Sequence, residues 1–89
     1  MRGVITVIGK DRVGIIARIS NILAGVNVNI LDISQTTMQD IFTMVMLVDL
    51  AAINVEFTIL SGSLNDMEKD MGLSVRIQRE DIFTAMHRI

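Results

Sequence analysis

The fold is decided by the stretch from residue 4 to residue 16, VITVIGKDRVGII. It begins with a β-branched run, residues 4–8, which predicts a central strand that ends at Gly9. From Ile15 onward the apolar residues recur at helical spacing, which predicts an amphipathic helix that stops at Gly25. The apolar face of that helix carries Ile15, Ile16, Ile19, Ile22, Leu23 and Val26. The stretch therefore predicts a strand that enters a helix through a loop with a glycine at each end.

Two more strands follow this first strand and helix. In residues 28–37 both alternating sets mix apolar and polar side chains, so neither face is cleanly polar, and we expect these residues to form the second strand. A turn at residues 38–40 leads into residues 41–50, which are apolar on both faces. That pattern is typical of a strand that is covered on both sides.

The C-terminal half of the chain predicts a second helix and a last strand. The helix is expected after residue 49, with Asn54 as its N-cap and Gly72 as its stop. Its apolar stripe consists of Phe57, Leu60, Leu64, Met67 and Met71. Residues 73–80 alternate as a strand whose inward side chains are Leu73, Val75 and Ile77. In the tail, residues 80–89, we expect a short helix capped by Asp81, with Ile82, Phe83, Met86 and Ile89 on one side.

The order of elements is strand, helix, strand, strand, helix, strand. Two right-handed crossovers in this order give an α+β fold, the ferredoxin-like βαββαβ sandwich, in which a four-stranded antiparallel sheet carries two helices on one face. We expect one domain over residues 1–89. The other face of the sheet is left open, so the tail, a second subunit or both are expected to cover it.

The composition favours a self-associating protein. Hydrophobic residues make up 51% of the 89 residues, and the mean hydropathy is +0.52. A small domain with this surplus hides part of it against another surface, and a second copy is the most common one. A net charge of −2 argues against nucleic-acid binding. No apolar run approaches the ~20 residues that cross a bilayer, and no signal peptide is visible, so a cytoplasmic location is expected.

The residues needed for common enzyme chemistry are missing from the sequence. There is no cysteine, and His87 is the only histidine, so one chain has neither a catalytic triad nor a zinc site. Residues 9–14 give the spacing of a phosphate loop, but Ile15 and Ile16 replace its lysine and hydroxyl residue. RNA recognition on this topology needs aromatic side chains on the central strands, and acylphosphatase chemistry needs a phosphate-cradling motif around Arg12. We therefore expect no enzyme activity, no cofactor and no metal.

The loop between the first strand and the first helix is the candidate binding site. The backbone amides of Arg12, Val13, Gly14 and Ile15 are expected near the helix N-terminus, where free N–H groups favour a carboxylate or phosphate. Alternatively, Asp11 caps the helix and Gly14 only eases packing. The residue pattern alone leaves both interpretations open.

The sequence of this loop resembles the Asp-Arg-Pro-Gly-Ile loop that opens ACT domains, the small-molecule sensors of amino-acid metabolism. Asn29-Ile30 matches the Asn-Ile at the start of their second strand. Residues 31–36 and 80–89 resemble, more narrowly, a family of small free-standing ACT proteins. Related modules precede formyltetrahydrofolate deformylases and form glycine-cleavage repressor-like proteins. Val13 stands where the family usually has proline, so the loop has one more N–H and a less restricted φ.

The resemblance implies a regulatory domain that binds an amino acid or similar metabolite as a homodimer or higher oligomer. ACT domains commonly pair side by side and hold the ligand between the first loop of one subunit and its neighbour. By this resemblance, amides near Gly14 and Ile15 bind the ligand carboxylate, and Asp11 or Asn29 binds its amino group. Asp32 is a further candidate. The alternative function is a protein-interaction module without a ligand, which docks a partner enzyme or regulator.

Overall fold

A pair of antiparallel strands forms the centre of the sheet. The structure is a computed structural model that describes residues 1–10 and 13–81. Its elements are β1 (Arg2–Lys10), α1 (Ile15–Gly25), β2 (Asn29–Met38), β3 (Ile41–Asp49), α2 (Phe57–Met71) and β4 (Ser74–Arg79). The order of strands across the sheet is β2-β3-β1-β4, and all neighbours are antiparallel. The predicted ferredoxin-like fold is confirmed.

The core lies between one face of the sheet and the two helices. Alternate residues of β3 are buried, from Phe42 to Val48, and they meet Ile5 and Val7 of β1 on the same face. The helices contribute Ile15, Ile19, Leu23, Leu60, Leu64 and Met67 to this core. α1 packs beside β2, and α2 packs beside β4. The apolar stripes predicted for both helices are therefore the stripes that are buried.

Gly9 does not end the first strand, contrary to the sequence expectation. It lies inside β1 and pairs with Phe42. A Cβ at this position would clash with Leu73 Cδ2 and would also lie 3.5 Å from Leu73 Cγ. The residue is small because β1 and Leu73 approach closely, not because the chain turns there.

The second helix begins later than its predicted N-cap. Asn54 does not cap it, because Glu56 is the N-cap and makes no side-chain cap. The backbone N–H of Asn54 instead donates to the carbonyl oxygen of Val26, 3.1 Å away. This bond ties the loop after β3 to the end of α1. The predicted stop at Gly72 is confirmed, since this residue is left-handed with φ 65°.

The first helix ends at Gly25 as expected, but another residue turns the chain. Gly25 is the last helical residue, and the positive φ of 61° belongs to Asn27. Asparagine tolerates this region better than most residues with a side chain. The turn places Asn29 directly at the start of β2.

The second face of the sheet carries no described helix or strand. Val45 and Leu47 of β3 are half-buried on this face, whereas Ile8 and Ile41 are 44% and 50% exposed. The sequence predicts a tail helix capped by Asp81. Glu80 and Asp81 are both helical, so Asp81 does not stand before the helix as a cap, and residues 82–89 lie outside the described residues. No described helix is long and apolar enough to cross a membrane.

The edge strand β2 is the least buried strand. Only Ile30 of its ten residues is partly buried, and the other nine are exposed. Leu31 and Ile33 are 48% and 36% exposed, and a register shift between Ile30 and Asp32 marks a bulge. A long free edge with exposed apolar residues is a surface on which another strand can add.

Candidate functional site

The start of α1 depends on the backbone conformation of Gly14. This residue is the N-cap of the helix and has φ 91° and ψ 0°, in the left-handed region. A Cβ there would meet nothing within 4 Å, so conformation and not space requires glycine. The neighbouring Val13 is fully exposed. Of the two glycines predicted to bend the loop, Gly14 is confirmed in that role, and Gly9 has a different one.

The first turn of α1 has backbone donors without a partner among the described residues. The helical bonds begin with the N–H of Arg18, which donates to the carbonyl oxygen of Gly14 over 2.9 Å. No side chain caps this end in the described part of the chain, and the first turn carries no acidic residue. Among the described residues, the N–H groups from Ile15 to Ala17 have no helical partner, and they lie at the positive end of the helix dipole. That arrangement suits a carboxylate.

Asp11 and Arg12 lie outside the described residues, so their expected contacts with the ligand remain predictions. Val13, Gly14 and Ile15 do lie together at the start of α1.

Asn29 and Asp32 lie at the other end of the sheet from Gly14. Asn29 pairs with Asp49, and Asp49 pairs with Arg2 at the beginning of β1. The loop that leads to Gly14 follows the opposite end of β1, eight residues further along. At ~3.3 Å per residue the two ends are about 26 Å apart. A small ligand cannot touch both groups within one copy of the chain.

The end of the sheet that holds Asn29 contains a cavity of about 330 Å³. Its lining consists of Ala24, Asn27, Val28, Asn29, Asp49 and Ala52. The side-chain amide of Asn27 donates to the carbonyl oxygen of Ala52 over 2.9 Å, which holds two walls of the cavity together. Asn29 is the predicted site residue in the lining of this cavity.

Asp32 has a weaker position than Asn29. Its Oδ1 accepts a hydrogen bond of 2.9 Å from the N–H of Ile33, and the residue is exposed. It pairs with Leu47 on the open face and does not line the cavity. Its described contact is local, and a role of Asp32 in a ligand site stays a prediction.

Asp49 belongs to the candidate site although the sequence did not indicate it. It closes β3, lies across the sheet from Asn29 and lines the same cavity. Its sequence neighbourhood resembles the end of any buried strand. Only the strand register could have brought it into consideration.

A second cavity of about 330 Å³ lies between α2 and β4. Ser61, Asn65 and Glu68 form its helical wall, and none of the predicted site residues lines it. The Glu68 carboxylate is already used there, because its Oε1 accepts a hydrogen bond from the N–H of Val75. In the described part of the chain, no group of acidic and histidine side chains has the arrangement of a metal site.

The comparison with known sequences identifies a family. A family model described as an ACT domain matches residues 3–78. A UPF0237 protein of Clostridium acetobutylicum is 53% identical over 89 residues, and the match covers 100% of both chains. The resemblance noted in the sequence is confirmed.

Solved structures agree with this family. The ACT domain protein from Streptococcus pneumoniae superposes with a TM-score of 0.78 at 36% identity, over 93% of each chain. A formyltetrahydrofolate deformylase from Pseudomonas syringae pv. tomato gives a TM-score of 0.77 at 23% identity, over 88% of this chain and 27% of the other. A chain assigned as a glycine cleavage system transcriptional repressor gives a TM-score of 0.73 at 24% identity, over 88% of this chain and 44% of the other. The last two show a shared fold.

Proposed function

The chain belongs to the ACT domain family, and on this premise we propose that it is a regulatory domain that binds an amino acid between two copies of itself. The observation that carries the proposal is the separation of the two halves of the candidate site. Donors with no partner among the described residues lie at the start of α1, and the Asn29 cavity lies about 26 Å away at the other end of the sheet. Each half needs a complement that its own copy does not provide.

Pairing through the β2 edges supplies that complement. β2 is a ten-residue edge strand, long enough for a second copy to extend the sheet, and its apolar side chains Leu31 and Ile33 are exposed. A two-fold axis is the usual symmetry of such pairs and makes the two β2 strands antiparallel. The start of β2 in one copy then lies beside the end of β2 in the other. The end of β2, at Met38, is also the end of the sheet from which the loop leads to α1.

The position of α1 supports the same pairing. α1 packs beside β2 and not beside β4, so both copies of α1 would flank the interface. The two-fold axis would make the two copies of α1 antiparallel, so Gly14 of one copy would lie near Ala24 of the other. The Asn29 cavity of that second copy is lined by Ala24 and Asn27. Backbone N–H groups from one copy would donate to the ligand carboxylate, and polar groups from the other copy would enclose the rest of the ligand.

A ligand in this position would act through assembly. Because it would contact both copies, it would stabilise the paired state by mass action relative to the separate chains. A protein that recognises only the pair would then respond to the ligand concentration. This coupling is the regulatory function that we propose.

Calorimetric titration of the protein with the standard set of protein amino acids tests the proposal. We expect heat from at least one of them at millimolar concentration or below, and a larger apparent mass in sedimentation when that ligand is present. Glycolate and inorganic phosphate serve as anionic controls without an amino group. No heat from any amino acid, with the protein folded, would contradict the proposal.

A second candidate function is the docking of a partner protein without a small ligand. Its support is the open face of the sheet, where Ile8 and Ile41 are about half exposed and Met38, paired with Ile41, is 69% exposed. Such a patch is typical of an interaction surface. Two regions are compared as contacts for the partner, the open face and the tail. Affinity purification is carried out with the intact chain, with an Ile41→Asp variant, and with a chain shortened by residues 81–89. An identical set of partners for all three chains would contradict docking on this face.

A further inference from the structure

We infer that Asp49 binds the ammonium group of the ligand and thereby selects amino acids over carboxylic acids that lack an amine. The inference rests on the proposed function, because it assigns one residue within that site. It starts from the register of the sheet, in which Asp49 lies directly across from Asn29. Both residues line the cavity of about 330 Å³ at this end of the molecule.

The walls of this cavity are fixed before any ligand arrives. Asn27 donates from its side chain to the carbonyl oxygen of Ala52 over 2.9 Å, and Asn54 donates from its backbone to Val26 over 3.1 Å. These two bonds join the turn after α1 to the loop after β3. A pocket whose walls are already held in place loses little freedom on binding, which favours affinity.

The Asp49 carboxylate is held in place and is not neutralised by a described cation. Its Oδ1 accepts a hydrogen bond of 2.9 Å from the N–H of Ala51, which fixes the side chain at the end of β3. Its cross-strand neighbour Arg2 is bound to Glu80, with Nη2 2.8 Å from Oε1. The other ion pairs of the described residues join Arg18 to Asp70 and Arg79 to Asp81. Asp49 is therefore an acidic residue in the lining of the cavity that forms no ion pair with the described cations.

The Asp49 carboxylate complements the positive end of α1 in the second copy. In the proposed pair, one end of the site offers backbone N–H groups, and the other offers a carboxylate beside the Asn29 amide. An α-amino acid carries the two matching charges a few bonds apart. A simple carboxylic acid would satisfy only the helix end and would leave Asp49 facing an uncharged group. Charge-assisted hydrogen bonds are about twice as strong as neutral ones. Asp49 would therefore favour ligands with an ammonium group over those without one.

The test uses the full chain and an isosteric variant, Asp49→Asn. Asparagine keeps an oxygen for the N–H of Ala51 and removes the charge, so the loop after β3 should be retained. The matched control is Asp66→Asn, which removes the same charge from an exposed position on α2. Each protein amino acid and its deaminated acid, such as alanine and propionate, are titrated into all three proteins by calorimetry.

We expect Asp49→Asn to weaken the binding of the amino acid by about tenfold or more, as the loss of a charge-assisted hydrogen bond does. Its affinity for the deaminated acid should equal that of the wild type, and Asp66→Asn should behave as the wild type with both. Equal amino-acid affinity in Asp49→Asn and wild type would overturn the assignment and leave the proposed function standing. Equal weakening for both ligand classes would also overturn it, because it would indicate a general loss of the site. A wild-type protein that binds no amino acid would overturn the proposed function, and the assignment with it.

Discussion

Glu68 on α2 accepts a hydrogen bond 3.0 Å long from the backbone N–H of Val75 on the edge strand β4. The side chain thereby occupies a donor that a neighbouring strand would otherwise use, on a strand of only six residues. The other edge, β2, is ten residues long and exposed at nine of them. The two edges of the sheet are therefore unequal, since one is short and partly capped and the other is open. This inequality favours the addition of a second copy at β2.

The contribution of Glu68 is measurable as stability. Glu68→Ala leaves the Val75 N–H without its partner, and we expect the free energy of unfolding to fall by about 1–3 kcal/mol. Glu68→Gln keeps an acceptor oxygen and should lose less. Chemical denaturation of both variants gives the values, with Asp66→Ala as the exposed control on the same helix. Equal stability of Glu68→Ala and wild type would show that the hydrogen bond contributes nothing.

Two glycines that both lack neighbours should respond in opposite directions to alanine. Gly14 and Gly62 each have nothing within 4 Å of an added Cβ, but only Gly14 has a positive φ. Gly14→Ala should cost about 1–2 kcal/mol of unfolding free energy, because the left-handed region is strained for alanine. Gly62→Ala, inside α2, should stabilise the protein by about 0.5–1 kcal/mol. Thermal unfolding measures both, and a stabilising Gly14→Ala would contradict the left-handed cap.

Close packing of β1 on Leu73 predicts a third effect. Gly9→Ala adds a methyl group where the Leu73 side chain lies, so we expect a loss of about 1–3 kcal/mol of unfolding free energy. Leu73→Val withdraws part of the opposing side chain, and the double variant should lose less than the sum of the two single variants. Additive losses in denaturant titrations would show that the two residues do not compete for space.

Like charges on the β2 edge should separate the paired chains. Leu31→Lys with Ile33→Lys places two cations on each edge that we propose to be paired, and repulsion between copies should give a monomer. Ile59→Lys, at a 54% exposed position on α2, is the matched surface change and should leave the pair intact. Sedimentation velocity measures the assembly, and circular dichroism checks the fold. If the β2 variant remains a pair, the interface lies elsewhere.

Much of the fold could be predicted because its signals are local. The apolar stripe of α1, the alternation of β4 and the stop at Gly72 each depend on neighbours within a few residues. The errors involve distant partners. Gly9 is small because Leu73 packs against it. The N–H of Asn54 donates to the carbonyl oxygen of Val26, and β2 and β3 separate these two residues in the sequence. No local pattern reveals either contact.

The same distinction applies to the candidate site. Gly14 and Asn29 could be proposed from the residues and from the family resemblance, but their separation follows only from strand order and register. Asp49 was missed because its relevance depends on pairing with Asn29 across the sheet. The expected cap by Asp11 stays a prediction, as does any contact of Arg12, since both lie outside the described residues.

The claim that one ligand site spans two copies has a direct test in mixed assemblies. Gly14→Asp places a carboxylate at the helix donors, so a pair of Gly14→Asp chains should not bind the ligand. Asn29→Ala changes the other half of the site, so a pair of Asn29→Ala chains should bind it more weakly. Neither variant alone should bind the amino acid as the wild type does.

When the two variants are unfolded together and refolded at equal concentration, half of the pairs should be mixed, and each mixed pair should contain one intact site. Calorimetric titration of that mixture should recover about a quarter of the wild-type sites, at wild-type affinity. If the mixture binds no more ligand than the separate variants do, the site does not combine Gly14 of one copy with Asn29 of the other.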